Sequence, residues 1–112
     1  MTPSAAPPHP PGAVRLERTD RGPVLHLLGE VDAGTVAWWE RDRPAPGSPD
    51  AVVAVDASAA TFLSSAGVAM LLRETEAHRA VGGRPELRSP SRAVLQVLRL
   101  TGMVELFDVV AG

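Results

Sequence analysis

The sequence predicts a single α/β domain in which a mixed β-sheet of about four to five strands is packed by about three to four helices. Three observations lead there. A hairpin signal opens the chain, a continuous β-branched run occupies residues 51–55, and two stretches of helical periodicity follow, each ended by glycine. With 112 residues, 45% of them hydrophobic, the chain has material for one core and little more.

The elements follow in order. Residues 1–12, MTPSAAPPHPPG, hold five prolines and almost nothing that could be buried, so they read as a flexible or polyproline-like tail outside a domain spanning 13–112. Residues 13–18 alternate as AVRLER and residues 24–28 read VLHLL, with turn chemistry between them in Thr19, Asp20, Arg21 and Gly22. Gly29, Glu30, Val31 and Asp32 lead into a short helix. Asp32 or Thr35 is its expected cap, and Val36, Trp39 and Arg43 share a face. The run from Pro44 to Pro49 stops that helix. Residues 51–55 form a central strand expected to be buried on both faces, with Asp56 at its end.

A second helix begins near Gly67, with Val68, Leu71, Leu72 and Thr75 inward and Arg73, Glu74, Glu76 and Arg79 outward, and stops at Gly82 and Gly83. A brief strand at 86–88 precedes a last helix that opens at Ser89, Pro90 and Ser91. Its apolar set is Val94, Leu95, Leu98 and Leu100, and Gly102 closes it. Residues 104–110 form a short edge element. There is no internal repeat.

Composition narrows the function. A net charge of −2 argues against nucleic acid as the main partner. No apolar run reaches the roughly 18 residues of a membrane helix, and the amino terminus lacks a basic-then-apolar leader, so a cytoplasmic protein without membrane insertion is expected. The chain has no cysteine, which removes disulfides and thiolate metal sites. His26 alternates with Leu25 and Leu27 and therefore faces away from them; His78 sits on the polar side of a helix. Neither has a partner at metal-ligand spacing, no Ser-His-Asp arrangement can be placed, and no cofactor is implied.

The segment from Val52 to Leu72 carries the chemistry. It joins the strand run to a helix through Ser64, Ser65, Ala66 and Gly67, which puts a serine hydroxyl at a helix amino terminus, where unpaired N–H groups and the helix dipole favour negative charge. A phosphate added there brings about −1.5 to −2 charges to a surface that a partner could read. The plain alternative is that these serines are an N-cap and its neighbour. Trp38 and Trp39 are adjacent on a helix and cannot share a face; Trp39 is expected in the core and Trp38 on the rim or as an interface anchor.

Three segments in this order, LLGEVDAGT, VVAVDASAATFLSSAG and LRSPSRAVLQVLRLTGMVELF, resemble the STAS domain family, whose best-known bacterial members are anti-sigma factor antagonists. The resemblance covers residues 13–107. It implies a non-enzymatic, monomeric protein that binds an anti-sigma factor of the ATP-binding serine-kinase type and so frees a sigma factor. It also implies phosphorylation by that kinase and reversal by a phosphatase. The family pattern puts the phosphate acceptor at Ser65, with Ser64 the alternative. Gly29, Asp32, Ser64, Ser65, Ala66, Gly67 and Trp38 become the partner-binding candidates.

The sequence departs from the family at Ser64, where members carry aspartate, and at Ala66. Such a change weakens phosphotransfer more than binding, because transfer needs the acceptor held in attack geometry while binding rests on a whole surface. Two other readings remain. Ser65-Ala66-Gly67 is close to the Thr-Ala-Gly turn of STAS subunits in bacterial lipid-transport ABC systems, and an apolar pocket between sheet and helices would suit a small-ligand sensor.

Overall fold

The computed structural model describes residues 11–43 and 51–111. The predicted tail up to Pro10 and the helix stop at 44–49 lie outside them. The elements run β1 (Gly12–Thr19), β2 (Gly22–Val31), α1 (Ala33–Asp42), β3 (Ala54–Leu63), α2 (Ser65–Ala80), β4 (Glu86–Arg88), α3 (Arg92–Leu100), a 3-10 turn (Met103–Leu106) and β5 (Asp108–Val110). The five strands form one mixed sheet in the order β1-β2-β3-β4-β5, antiparallel between β1 and β2 and parallel thereafter.

Each connection follows from local chemistry. The hairpin closes where Thr19 pairs with Gly22, whose φ of 126° suits glycine, and the Thr19 hydroxyl donates to the Gly22 carbonyl at 2.7 Å. Three helices start on side-chain caps: Asp32, Ser64 and Ser91 accept from the backbone N–H three residues on. A Schellman turn ends α2, in which Gly82 is left-handed, its N–H meets Arg79 O and the N–H of Gly83 meets His78 O.

Helix side chains Val36, Val68, Leu71, Val94 and Leu98 join Leu25, Leu27, Val55 and Leu87 of the sheet in one buried cluster, so the helices cover one face. The other face carries a row of paired positions, Arg15, His26, Asp56 and Arg88, one from each of four neighbouring strands. His26 Nε2 lies 2.8 Å from Glu17 Oε1, and Arg88 Nε donates to Glu86 at 2.9 Å. His26 thus faces away from Leu25 and Leu27, as its alternation predicts.

Several expectations need correction. The central strand does not end at Val55. It starts at Ala54 and runs to Leu63, with Asp56 inside it, and Val53 is only half-buried. Val53 is already laddered on both sides, its N–H to Pro23 O and its carbonyl to Glu86 N. Beyond Asp56 the register against β2 slips twice, and burial then falls on Ala57, Ala60 and Leu63. A spacing of three hides a strand whose signature is a spacing of two.

Gly29, Glu30 and Val31 belong to β2 rather than to a loop, and Gly12 begins β1 rather than ending a tail. Glu74 and Arg79 are not on a solvated face. Glu74 accepts from Trp39 Nε1 at 3.2 Å and from Arg43, clamping α2 to α1, while Arg79 donates to the Thr75 hydroxyl and to Leu72 O. Leu100 is 79% exposed and is no part of the core. The expected edge element at 104–110 is a 3-10 turn followed by a three-residue strand.

Gly12 shows why the first rung matters. A Cβ there would lie 2.1 Å from Glu30 O and 2.6 Å from Leu28 O, both backbone atoms that cannot rotate away. Gly12→Ala should therefore cost about 1 to 3 kcal/mol, the usual range for overpacking, and lower the melting temperature by several degrees in a thermal scan.

Candidate functional site

Strands β2 and β3 end on the same rung, where Val31 pairs with Leu63. The next residue in each strand, Asp32 or Ser64, caps the helix that follows. Adjacent strands lie about 4.8 Å apart, so this rung delivers two helix amino termini side by side at one edge of the sheet. The Ser64 N–H donates to Val31 O at 2.9 Å and ties the two ends together.

The caps differ in chemistry. Asp32 Oδ1 accepts from the Thr35 N–H at 2.9 Å and from the Thr35 hydroxyl at 3.0 Å, and the same hydroxyl lies 2.8 Å from Glu30 O. The Thr35 backbone bond, followed by its hydroxyl, holds the Asp32 carboxyl below its ordinary 3.8. Asp32 is thus the cap and Thr35 its buried support. Ser64 Oγ accepts from the Gly67 N–H at 3.2 Å. It does the capping that an aspartate would do, without the charge.

Ser65 is the first residue of α2 and is exposed. Its hydroxyl has no hydrogen-bond partner among the described residues. No base among the described residues hydrogen-bonds this hydroxyl, so nothing described there activates it as a nucleophile. Ala66 is half-buried against the core and Gly67 is buried, where a Cβ would meet Leu63 Cδ1 at 2.4 Å and Val31 O at 3.1 Å. The glycine lets α2 start directly over the rung.

The structure brings Asp32, Ser64, Ser65, Ala66 and Gly67 to this edge. The other two candidates have different surroundings. Gly29, at φ 65°, lets Pro11 O and Gly12 pass close to its Cα. Trp38 lies further down α1, half-exposed, with the Arg41 guanidinium 5.4 Å from its ring centroid. It lines an open groove of about 420 Å³ with Gly12, Ala13, Val14, Thr35, Trp39 and Asp42. That groove runs between β1 and α1 rather than inside the core. Asp56 stands on the helix-free face. Burial raises its carboxyl, but the Ser58 N–H and hydroxyl, with His26 and Arg88 nearby, bring it below the ordinary value.

Sequence reasoning missed Phe62. It pairs with Glu30 one rung before the end of β3 and is 48% exposed, a large apolar group next to the serine turn. Its signal was the period-three pattern of 57, 60 and 63, which turns 62 outward. Among the described residues no three His, Asp or Glu side chains are grouped to hold a metal ion, and no helix is long and apolar enough to cross a membrane.

A family model described as "Mlab, STAS domain" matches residues 14–110. The chain belongs to the STAS domain family. Among solved structures, this STAS domain is similar to that of the anti-sigma factor antagonist SpoIIAA in its unphosphorylated form, with a TM-score of 0.66, 26% identity and 87% of each chain covered. No curated protein matches it. The single α/β fold with its mixed five-stranded sheet is the fold that SpoIIAA has.

The two caps give separable outcomes. Asp32 is held below its ordinary value, so the stability its ionisation contributes is present above the unfolded carboxyl's range and lost as pH falls through the lowered folded value. Asp32→Asn keeps a competent cap, so it should leave stability near neutral pH little changed and flatten the acid-side loss below about pH 4 in urea titrations. Ser64→Ala removes the cap and should cost about 1 kcal/mol at every pH.

Proposed function

We propose that this STAS domain is an anti-sigma factor antagonist. It binds an ATP-binding anti-sigma factor that is also a serine kinase, thereby frees a sigma factor, and is released when Ser65 is phosphorylated. The reading rests on one observation above all: the Ser65 hydroxyl is exposed and unpartnered at the first position of α2, in a chain whose fold matches an anti-sigma factor antagonist described by its unphosphorylated form.

The physics of the edge supports a switch. A partner that docks across Asp32, Phe62 and the start of α2 meets an apolar side chain, a carboxylate and a neutral hydroxyl. Phosphate on Ser65 adds charge next to the Asp32 carboxylate while the α2 amino terminus tolerates it, so the domain stays folded as the interface is lost. Ser64 keeps the cap but supplies no carboxylate to orient the acceptor, which slows transfer relative to members with aspartate there.

A second reading is favoured by the description of the matching family model and by the Ser65-Ala66-Gly67 turn, which is close to the Thr-Ala-Gly of STAS subunits in lipid-transport ABC systems. There the same edge binds a transporter ATPase and Ser65 is a contact, not a phosphate acceptor.

Incubation with a kinase-type anti-sigma factor and ATP, followed by intact-mass and fragment analysis, separates the two. One phosphate on Ser65, abolished by Ser65→Ala and accelerated by Ser64→Asp, supports the antagonist. Ser65→Asp should weaken the complex in a binding titration, though a carboxylate imitates a phosphate dianion incompletely. Phosphate on Ser64 overturns the acceptor assignment. Tight binding to an ABC ATPase, with no transfer from any such kinase, replaces the first reading with the second.

A further inference from the structure

Helix α3 has a second face that the antagonist reading does not use. Its inward residues Val94 and Leu98 are buried in the core. Its outward residues Arg92, Leu95, Gln96, Arg99 and Leu100 line a surface recess of about 430 Å³. They fall at positions i, i+3, i+4, i+7 and i+8, which is one continuous stripe of a helix.

The stripe carries two cations and no anion. The side chains of Arg92 and Arg99, like those of Arg15 and Arg21, have no hydrogen-bond or ion-pair partner among the described residues, whereas Arg43, Arg73 and Arg88 each hold a carboxylate. α3 contains no acidic residue. Arg92 also stands at the first helical position, where the positive end of the dipole disfavours a cation. The helix carries that local cost without an internal gain. Half-buried Leu95 lies between the arginines, and Leu100, 79% exposed, lies just beyond Arg99. An isolated exposed leucine is ordinary, but two leucines sharing one stripe with two unpaired cations form a surface lacking its counterpart.

We propose that this face of α3 docks an acidic amphipathic helix of a partner protein. Arg92 and Arg99 are seven residues apart, about 10.5 Å along the axis, so they match two carboxylates spaced by seven on the incoming helix, with apolar side chains meeting Leu95 and Leu100. Two arginines on a chain of net charge −2 are too few for a nucleic-acid or anionic-lipid surface, where clusters of basic residues carry the affinity. The inference is independent of Ser65, which lies on another helix.

The test uses the full chain and two designed helical peptides. One presents two glutamates seven residues apart with leucines between them; the other has lysines in their place. In amide-shift titrations the glutamate peptide should move the signals of residues 92–100 and leave 64–68 still, binding at least about tenfold tighter than the lysine peptide. Arg92→Glu with Arg99→Glu should invert that preference, and Leu100→Ser, at an exposed position, should weaken binding without changing the melting temperature. Equal binding of the two peptides, shifts elsewhere, or no binding overturns the proposal. Comparable binding of duplex DNA or phosphatidylglycerol vesicles at the same residues also overturns it, by reassigning the face to polyanions.

Discussion

The last rung of the parallel ladder, Val31 against Leu63, is the constraint on which the rest of the molecule depends. Both residues are buried, and their strands turn into helices at the same level. Because the Ser64 N–H closes on Val31 O, neither helix can start earlier or later without breaking that bond or orphaning a cap. The juxtaposition of Asp32 with the serine turn follows from strand pairing. It does not arise from any contact between their side chains.

A second restraint holds the helices once they have started. Glu74 on α2 takes the indole N–H of Trp39 and the guanidinium of Arg43, both from α1, with its side chain only 11% exposed. Arg73 and Glu40 add a more exposed pair at 2.7 Å. The exposed pair contributes little in water. The enclosed carboxylate matters more, since removing either partner would leave the other poorly solvated. Two helices tied to one rung at their starts and to each other further along present the Ser65 edge as a rigid unit. The proposed switch relies on that arrangement, because a charge added at Ser65 would then act on the surface without refolding the domain.

Much of this was legible before the fold. Gly22, Gly82 and Gly102 mark turns because their backbones are left-handed, and Ser64, Asp32 and Ser91 mark helix starts because short oxygen side chains cap N–H groups. The serine turn was also visible, since a strand-to-helix change at Ser64 needs only a change of period. The second half of β3 was not legible, because two register slips convert alternation into a spacing of three. The roles of Glu74 and Arg79 were hidden too. A carboxylate on a helix reads as solvated unless the neighbouring helix is known to bring an indole and a guanidinium to it.

Local chemistry in the sequence therefore determined what kinds of element form, where the helices begin, and which family pattern the chain carries. These depend on residues within a few positions of one another. Tertiary structure alone decided that Asp32 and Ser65 share an edge, that Gly29 makes room for the start of β1, that Phe62 faces outward and that the arginines of α3 find no carboxylate. Each of those depends on which strands pair and in what register, and register is set by the burial of side chains far apart in sequence.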